Sequence, residues 1–281
     1  MPFKAGFYYT WHEGGDKNQT PVILIHGAGS SHIFWPAELR RLSCHNVIAL
    51  DLPGHGHSNG TGCQSVGDYT AAMLEFLADR GIFQAAFVGH SMGGAIALQL
   101  ALDYPQHVIG IGVISAGANF NLPQELTAYL SSPATGTMGL RLLSQLLGFS
   151  NAALAMQEAR FKLMNAVRLS VLYNDWLASS RFDLSARLSQ INIPAFVACG
   201  SGDNLTPPAQ SQYLADKLPI ARLNIFHGGG HLLPLEQPHQ LAASLKRFLD
   251  DLLAWHAHYL LPAEFPQPSK NDHPYASNQD H

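Results

Sequence analysis

The fold of this chain is decided by the stretch Phe87-Val88-Gly89-His90-Ser91-Met92-Gly93-Gly94-Ala95-Ile96-Ala97-Leu98. Residues 85–88 are short and apolar, as in a buried parallel strand, and residues 94–102 carry Ala and Leu at helical spacing. Between them stands Gly-x-Ser-x-Gly, in which glycines at both sides let neighbouring backbone approach a sharp strand-to-helix corner. The alternative is a glycine-rich turn with a capping serine, so the interpretation depends on the rest of the chain.

On both sides of this stretch, apolar strands alternate with helices. Strands are predicted at residues 3–11 (an edge strand), 21–25, 46–50, 85–88, 108–114, 193–199 and 222–226, and helices at 34–42, 66–81, 94–102, 207–217 and 238–255. Continuous apolar strands alternating with helices indicate a parallel sheet whose two faces are both covered. The predicted fold class is therefore α/β, a mostly parallel, doubly wound sheet with helices on both faces.

The alternation stops at residues 119–188, where Leu, Met, Ala, Gln and Arg recur at helical spacing between breaks at proline and glycine. Three or four helices fit this segment, so we predict a helical cap inserted into the sheet domain. The predicted division is a first core segment at 1–118, the cap at 119–188, a second core segment at 189–261 and an irregular tail at 262–281. The tail is rich in Pro, Asn, Asp and Ser and lacks apolar periodicity.

Composition excludes several classes of function. Of 281 residues, 47% are hydrophobic and 13% charged, and the net charge is −4, so no basic block favours nucleic acid or an anionic membrane surface. Three widely spaced cysteines form no disulfide framework, and the scattered histidines form no metal-ligand pattern. No apolar run resembles a signal peptide or a membrane span. We expect a cytoplasmic protein with no metal and no cofactor; its oligomeric state is left open.

Three residues of catalytic type follow three predicted strands. A serine hydroxyl needs a base, usually histidine, which a carboxylate holds in place. Ser91, Asp203 and His231 each follow a strand, and the carboxyl ends of parallel strands meet at one edge of a sheet. Two alternatives are that Asp203 only caps the next helix and that His231 has no role. His227 is the nearest competitor, but it abuts the strand end and precedes the three glycines that give His231 room to reach the serine.

An oxyanion hole requires two N–H donors near the serine. The N–H of Met92 opens the helix behind Ser91, and the glycine-bracketed N–H of Ala28 follows the strand at residues 21–25. His26, in the same loop, is interpreted as a structural hydrogen-bonding residue rather than a catalytic base.

These motifs together resemble the α/β-hydrolase-fold superfamily, in its serine-nucleophile branch with a helical cap. The matching segments are His26-Gly27-Ala28-Gly29, Asp51-Leu52-Pro53-Gly54-His55-Gly56-His57-Ser58, Gly89-His90-Ser91-Met92-Gly93-Gly94, residues 200–203, and Gly230-His231 with Glu236-Gln237-Pro238. They span residues 20–250 in the family's order. The resemblance implies a triad of Ser91, His231 and Asp203, oxyanion donors Ala28 and Met92, and a structural Asp51.

The resemblance implies hydrolysis through an acyl-enzyme, because related dehalogenases and epoxide hydrolases carry aspartate in place of Ser91. The cap is rich in apolar residues: Leu126, Tyr129, Met138, Leu142, Leu143, Leu146, Leu147, Phe149, Met156, Phe161, Met164 and Trp176. This composition favours a small, largely apolar carboxylic ester. The predicted pocket residues are Phe34, Trp35, Leu142, Leu146 and Trp176.

Several other interpretations stay open. Hydrolases of C–C bonds in vinylogous diketones, enol-lactonases, thioesterases and cofactor-free perhydrolases resemble this chain in the elbow motif. From a different class, some receptors of this fold retain a slow triad and signal through movement of the cap.

Overall fold

A seven-stranded sheet forms the centre of the protein. The computed structural model describes residues 6–147 and 167–258. Its strands are β1 (Tyr9–Glu13), β2 (Val22–Ile25), β3 (Asn46–Leu50), β4 (Ala85–His90), β5 (Val108–Ile114), β6 (Ala195–Gly200) and β7 (Ala221–Phe226). They lie in the order β1-β3-β2-β4-β5-β6-β7, with β1 antiparallel to β3 and every other pair parallel. The predicted fold class is confirmed.

Helices cover both faces of this sheet. In the described residues the α-helices are α1 (Ala37–Arg40), α2 (Val66–Arg80), α3 (Met92–Asp103), α4 (Gln124–Leu130), α5 (Gly136–Leu146), α6 (Leu169–Ser180), α7 (Pro208–Lys217), α8 (Leu233–Glu236) and α9 (Pro238–His258). Short 3-10 helices occur at His32–Phe34, Pro105–His107 and Leu188–Gln190. Helix α2 ends as its sequence predicts, because Gly81 adopts the left-handed conformation that closes a helix (φ 64°).

The side chains of β2 show why the strands are apolar throughout. Ile23 and Ile25 pack on one face with residues of α2 and α3, whereas Val22 and Leu24 pack on the other face with residues of α9. A strand alternates its side chains between two faces, so a sheet covered on both sides needs apolar residues at every position. Full burial of one such side chain contributes roughly 1.5–3 kcal/mol.

Helices α4, α5 and α6 lie between β5 and β6 in the chain, in the segment predicted as a cap. An isolated antiparallel bridge joins Asn119 to Asp183 at the two ends of this segment. Leu126, Leu143 and Trp176 from the three helices belong to the same apolar cluster as residues of α9. Among the described residues of 119–147 and 167–188, none forms a strand of the sheet. The domain division itself stays a prediction.

Some predictions fall outside the described residues. These are the apolar cap residues Phe149, Met156, Phe161 and Met164, and the tail at residues 262–281.

The predicted helix at residues 34–42 is wrong in extent. The structure forms a 3-10 helix at His32–Phe34 and then only α1. Pro36 explains the break, because a proline disfavours helical backbone in the residue before it, and Trp35 is extended (φ −77°, ψ 118°). The first strand also starts later than predicted, at Tyr9 rather than at residue 3.

Neither a membrane span nor a metal cluster occurs in the described ranges. Of the helices in residues 6–147 and 167–258, none is long and apolar enough to cross a membrane. In the same ranges, no group of three or more His, Cys, Asp and Glu side chains is arranged to hold a metal ion.

Candidate active site

Ser91 stands at the corner between β4 and α3, in strained backbone geometry. Its φ is 53° and its ψ −120°, a conformation that few residues adopt and that a tightly packed corner must enforce. A Cβ on Gly89 would lie 2.0 Å from the oxygen of Gly93, and one on Gly93 would lie 2.2 Å from the oxygen of Ile25. Both glycines are therefore required, which favours the strand-turn-helix interpretation over a simple capping serine.

The structure brings Ser91, His231 and Asp203 together. The Nε2 atom of His231 lies 3.1 Å from Ser91 Oγ, and its Nδ1 lies 2.9 Å from Asp203 Oδ2. An ionised carboxylate can only accept, so Nδ1 carries the proton, and in the neutral ring Nε2 is free to accept from the serine hydroxyl. All three side chains are buried.

Asp203 is held as an anion by more than the histidine. Its Oδ1 accepts the N–H groups of Leu205 and Thr206, each at 2.9 Å, and its Oδ2 accepts the Thr206 hydroxyl at 2.8 Å. Burial alone would raise the pKa of this carboxyl, but the charge and hydrogen bond of His231 and the donors of Thr206 hold that pKa below its usual value. Sequence reasoning missed Thr206, although an Asp with a hydroxyl residue three positions later is a recognisable turn signal.

His90 connects the serine corner to the loop that carries His231. Its Nε2–H donates to the main-chain oxygen of His231 at 2.8 Å, and its ring is buried against Phe34. Burial and the nearby His231 lower the pKa of His90 to about 3, so this ring is neutral at working pH. Glu236 holds the same loop from the other side by accepting the N–H of Gly230.

The predicted oxyanion donors lie on two sides of Ser91. Met92 is the first residue of α3, so its N–H belongs to the first helical turn, where N–H groups lack partners within the helix. Ala28 lines the same cavity as Ser91. A Cβ on Gly27 would lie 2.9 Å from His90 Nδ1 and 3.2 Å from Ser91 Cβ, so the oxyanion loop passes directly beside the serine.

His26 and Asp51 make the structural contacts expected of them. His26 accepts the N–H of Leu52 at Nε2 (3.0 Å) and donates from Nδ1 to the oxygen of Gly27 (2.8 Å), so its ring is neutral. Burial and the charge of His55 lower the pKa of His26 well below its ordinary value. The fully buried Asp51 accepts the N–H groups of His32 and His57 and contacts the ring of His32.

A largely apolar cavity opens beside Ser91 and His231, with about 750 Å³ of empty space including its mouth. Its apolar walls are formed mainly by Phe34, Phe120, Leu143, Leu172, Trp176 and Leu232. Polar groups at the wall include the hydroxyls of Ser30 and Ser179. An apolar group of moderate size is what such a cavity is suited to bind.

Two of the five predicted pocket residues, Phe34 and Trp176, line this cavity, and three do not. Trp35 is fully buried in the core behind Phe34, with the two rings 5.5 Å apart. On α5 the cavity is lined by Leu143, and just past its end by Leu147, whereas Leu142 and Leu146 are half-buried beside them. Helical spacing predicted an apolar stripe, but the rotation of the helix about its axis depends on its neighbours.

Sequence reasoning also missed Asp175, a fully buried carboxylate of α6. It accepts the N–H of Gly29 at 2.8 Å, contacts Nε2 of His55 at 2.7 Å and accepts the hydroxyl of Tyr69. A helical aspartate usually faces solvent, so nothing local to the sequence pointed to this position.

Comparisons with known proteins agree with this geometry. The chain matches the model of the alpha/beta hydrolase family over residues 22–244. A dihydrolipoyllysine-residue acetyltransferase component of an acetoin cleaving system from Cupriavidus necator is 30% identical over 243 residues, 81% of this chain and 63% of that protein. The chain thus spans less than two thirds of the length of that relative.

Two further relatives match over nearly their whole length. A pimeloyl-[acyl-carrier protein] methyl ester esterase from Yersinia pseudotuberculosis is 28% identical over 267 residues, 88% of this chain and 98% of that protein. The solved structure of Est816, an N-acyl homoserine lactone degrading enzyme, superposes with a TM-score of 0.72 at 27% identity, over 86% of this chain and 96% of that one. The chain therefore belongs to the alpha/beta hydrolase family, as a carboxylesterase-like member.

Proposed function

We propose that this protein is a serine hydrolase that cleaves a small, largely apolar carboxylic ester through an acyl-enzyme intermediate. The observation that carries the proposal is the buried hydrogen-bonded series from Ser91 through His231 to Asp203 at the wall of an apolar cavity. Nucleophile, base and orienting carboxylate in this geometry are the combination that acyl transfer needs.

In the first half of the reaction, Ser91 Oγ attacks the ester carbonyl while its proton passes to Nε2 of His231. Asp203 accepts from Nδ1 throughout and stabilises the imidazolium that forms. The N–H groups of Ala28 and Met92 donate to the oxyanion of the tetrahedral intermediate, where one donor contributes roughly 3–4 kcal/mol of barrier lowering. The imidazolium then protonates the departing alcohol, and the acyl group stays on Ser91.

In the second half, a water molecule gives its proton to His231 and attacks the acyl carbon. The same two N–H groups hold the second oxyanion, and His231 returns the proton to Ser91 Oγ as the acid leaves. The serine and the neutral histidine are regenerated, so one water is consumed per ester.

The cavity supports an apolar acyl group over a sugar or a peptide. Its walls are formed mostly by Leu, Phe and Trp side chains, and polar groups at the wall are few. Sugars and peptides carry many hydrogen-bonding groups, which such a wall would leave without partners. The Yersinia relative is named for a methyl ester, which agrees with an ester as the bond to be cleaved.

A lactone is the second candidate substrate, because Est816 is described as degrading N-acyl homoserine lactone and a lactone is an internal ester. Cleavage of a C–C bond in a vinylogous diketone and ligand reception with slow turnover are the remaining alternatives from the sequence. They differ from the proposal in what accumulates: a receptor is labelled at Ser91 by a fluorophosphonate but shows almost no ester turnover.

The proposal is tested with p-nitrophenyl esters from acetate to octanoate and with fluorophosphonate labelling. The variants Ser91→Ala and His231→Ala should each lose at least about a thousandfold in kcat, because the triad acts as a unit. The matched controls are Ser189→Ala and His239→Ala, which remove exposed side chains of the same types and should retain full activity. A loss of only a few-fold in Ser91→Ala would contradict the proposal.

A further inference from the structure

Helix α6 of the inserted segment is seated directly on the oxyanion loop. Asp175 Oδ2 accepts the N–H of Gly29 at 2.8 Å across 146 positions of the chain. Leu172, one turn earlier on the helix, closes on the same glycine, because a Cβ on Gly29 would lie 2.6 Å from Leu172 Cδ1. Gly29 itself needs left-handed backbone, with φ of 64°.

Every contact of Asp175 comes from a donor, so the carboxylate is ionised. Tyr69 donates its hydroxyl to Oδ1, while Gly29 and His55 contact Oδ2. On His55, Nδ1 lies 3.1 Å from the oxygen of Pro53, which can only accept, and Nε2 lies 2.7 Å from the carboxylate. Both ring nitrogens therefore donate, and the ring is an imidazolium.

Asp175 and His55 thus form an ion pair in which both side chains are fully buried. Burial alone would lower the pKa of His55, but the charge and hydrogen bond of Asp175 raise it above the ordinary value. Removing one member of such a pair is costly because the other is left as a buried, uncompensated charge.

The peptide groups on both sides of Ala28 are consequently held. His26 Nδ1–H holds the oxygen of Gly27, and in a trans peptide the N–H of Ala28 points the opposite way from that oxygen. Asp175 holds the N–H of Gly29, which belongs to the next peptide. With both peptide planes fixed, the direction of the Ala28 N–H is fixed as well.

We propose that Asp175 is a positioning residue for the oxyanion hole, which acts from the inserted segment by holding the Gly29 peptide so that the Ala28 N–H faces the developing oxyanion. This assignment rests on the proposed ester hydrolysis. It gives the cap segment a part in the chemistry that goes beyond forming the pocket wall.

The test compares two ketones that differ only in their ability to form an oxyanion on the protein. With 1,1,1-trifluoro-2-octanone, Ser91 Oγ bonds to the carbonyl carbon, the carbonyl oxygen becomes the oxyanion and the hydroxyl proton passes to His231. With 2-octanone, only the apolar cavity is engaged. The inhibition constants of both ketones, together with kcat and KM for p-nitrophenyl butyrate, are measured for wild type, Asp175→Asn and Asp175→Ala.

The expected result is a selective loss. Complete removal of an oxyanion donor costs about 10²–10³-fold, so its misalignment in Asp175→Ala should weaken the trifluoroketone and lower kcat by about 10–100-fold. Asp175→Asn, which keeps the shape and one acceptor, should lose less, about 3–10-fold by the same reasoning, and secures the test if the alanine variant does not fold. Binding of 2-octanone and KM should change less than about twofold.

Two variants separate positioning from general stability. Tyr69→Phe removes the donor to Oδ1 and leaves the contact between Oδ2 and Gly29, so it should lower Tm but keep the wild-type selectivity between the ketones. Asp68→Asn changes an exposed carboxylate one position before Tyr69 and should leave selectivity unchanged. Equal weakening of both ketones in the Asp175 variants, or none, would overturn the assignment alone. A wild type that binds both ketones equally would overturn the proposed function as well.

Discussion

The residue that precedes the nucleophile holds the main chain of the residue that acts on it. His90 Nε2–H donates to the oxygen of His231 at 2.8 Å, and the two rings lie 5.1 Å apart. The strand end that bears Ser91 and the glycine-rich loop that bears His231 are thereby joined independently of the side-chain contact between Ser91 and His231. Because the loop carries three successive glycines, this anchor limits the freedom that they would otherwise allow.

His90→Ala should therefore damage both stability and catalysis. It leaves the buried oxygen of His231 without its donor, at a cost of about 1–3 kcal/mol in the free energy of unfolding. We expect kcat to fall about tenfold, because a slightly misplaced base costs rate. His90→Gln, whose Nε2 can donate to the same oxygen, should recover part of both losses. Urea unfolding and ester kinetics check this, and an unaltered kcat in His90→Ala would contradict it.

Gly29→Ala tests the contact between α6 and the oxyanion loop. Gly81 is the matched control, since it has the same φ of 64° but no atom within 4 Å of an added Cβ. Gly81→Ala should cost about 1–2 kcal/mol for the left-handed backbone alone. Gly29→Ala should cost more and also lower kcat, because its Cβ would meet Leu172 at 2.6 Å. The double variant with Leu172→Ala should recover the excess, as a coupling energy in a double-mutant cycle; additive losses would refute the contact.

Trp176 should determine how long an acyl chain the cavity accepts. Trp176→Ala enlarges the wall, and the ratio of kcat/KM for octanoate to that for butyrate should rise at least about fivefold, since one methylene is worth about 1–3 kcal/mol in such a pocket. Trp35 provides the comparison, because its ring is buried behind the wall rather than in it. Trp35→Phe should lower stability without changing the ratio. Equal shifts in both variants would show that neither ring sets the chain length.

The pH dependence of stability should have an acidic limb from two neutral histidines. The pKa of His26 is lowered and that of His90 is lowered to about 3, whereas an unfolded histidine titrates near 6.5. As pH falls below about 6.5 the unfolded chain takes up protons that the folded one refuses, so the free energy of unfolding decreases by up to about 1.4 kcal/mol per pH unit for each residue. His90→Gln should flatten this limb in urea titrations between pH 4 and 7; an unchanged slope would exclude His90 as a source.

An alkaline limb of opposite origin should come from His55. Its pKa is raised by Asp175, so its stabilisation is complete below about pH 6.5 and is lost as pH rises through its folded pKa. Asp51 and Asp175 favour the charged ring, and the neutral His26 lies 4.9 Å away. Urea titrations between pH 6 and 9 should show a decline in wild type that is absent in Asp175→Asn. A decline of equal size in both proteins would assign it to another group.

The chain order of the elements and the position of the site followed from local patterns. Each of Ser91, Asp203 and His231 follows a strand that was recognisable by its apolar residues, and parallel strands present their carboxyl ends at one edge. The structure has all three side chains within hydrogen-bonding distance. The helix predicted at residues 34–42 failed for an equally local reason, because Pro36 keeps Trp35 in extended backbone.

The lining of the cavity was only partly predictable. Helical spacing in α5 showed which positions share a stripe, but Leu143 rather than Leu142 faces the cavity. The rotation of a helix about its axis is set by packing against α4 and the sheet domain, and periodicity alone does not contain that information.

The sequence by itself determined the succession of strands and helices, the strained serine corner and the loops that carry the candidate triad, because these depend on residues close together in the chain. Only the tertiary structure decided that Asp175 lies buried on Gly29, that His55 is charged while His26 and His90 are neutral, and that Trp35 stays out of the cavity. The physical reason is that protonation and burial depend on neighbours in space, and those neighbours are separated by as many as 146 positions in the chain.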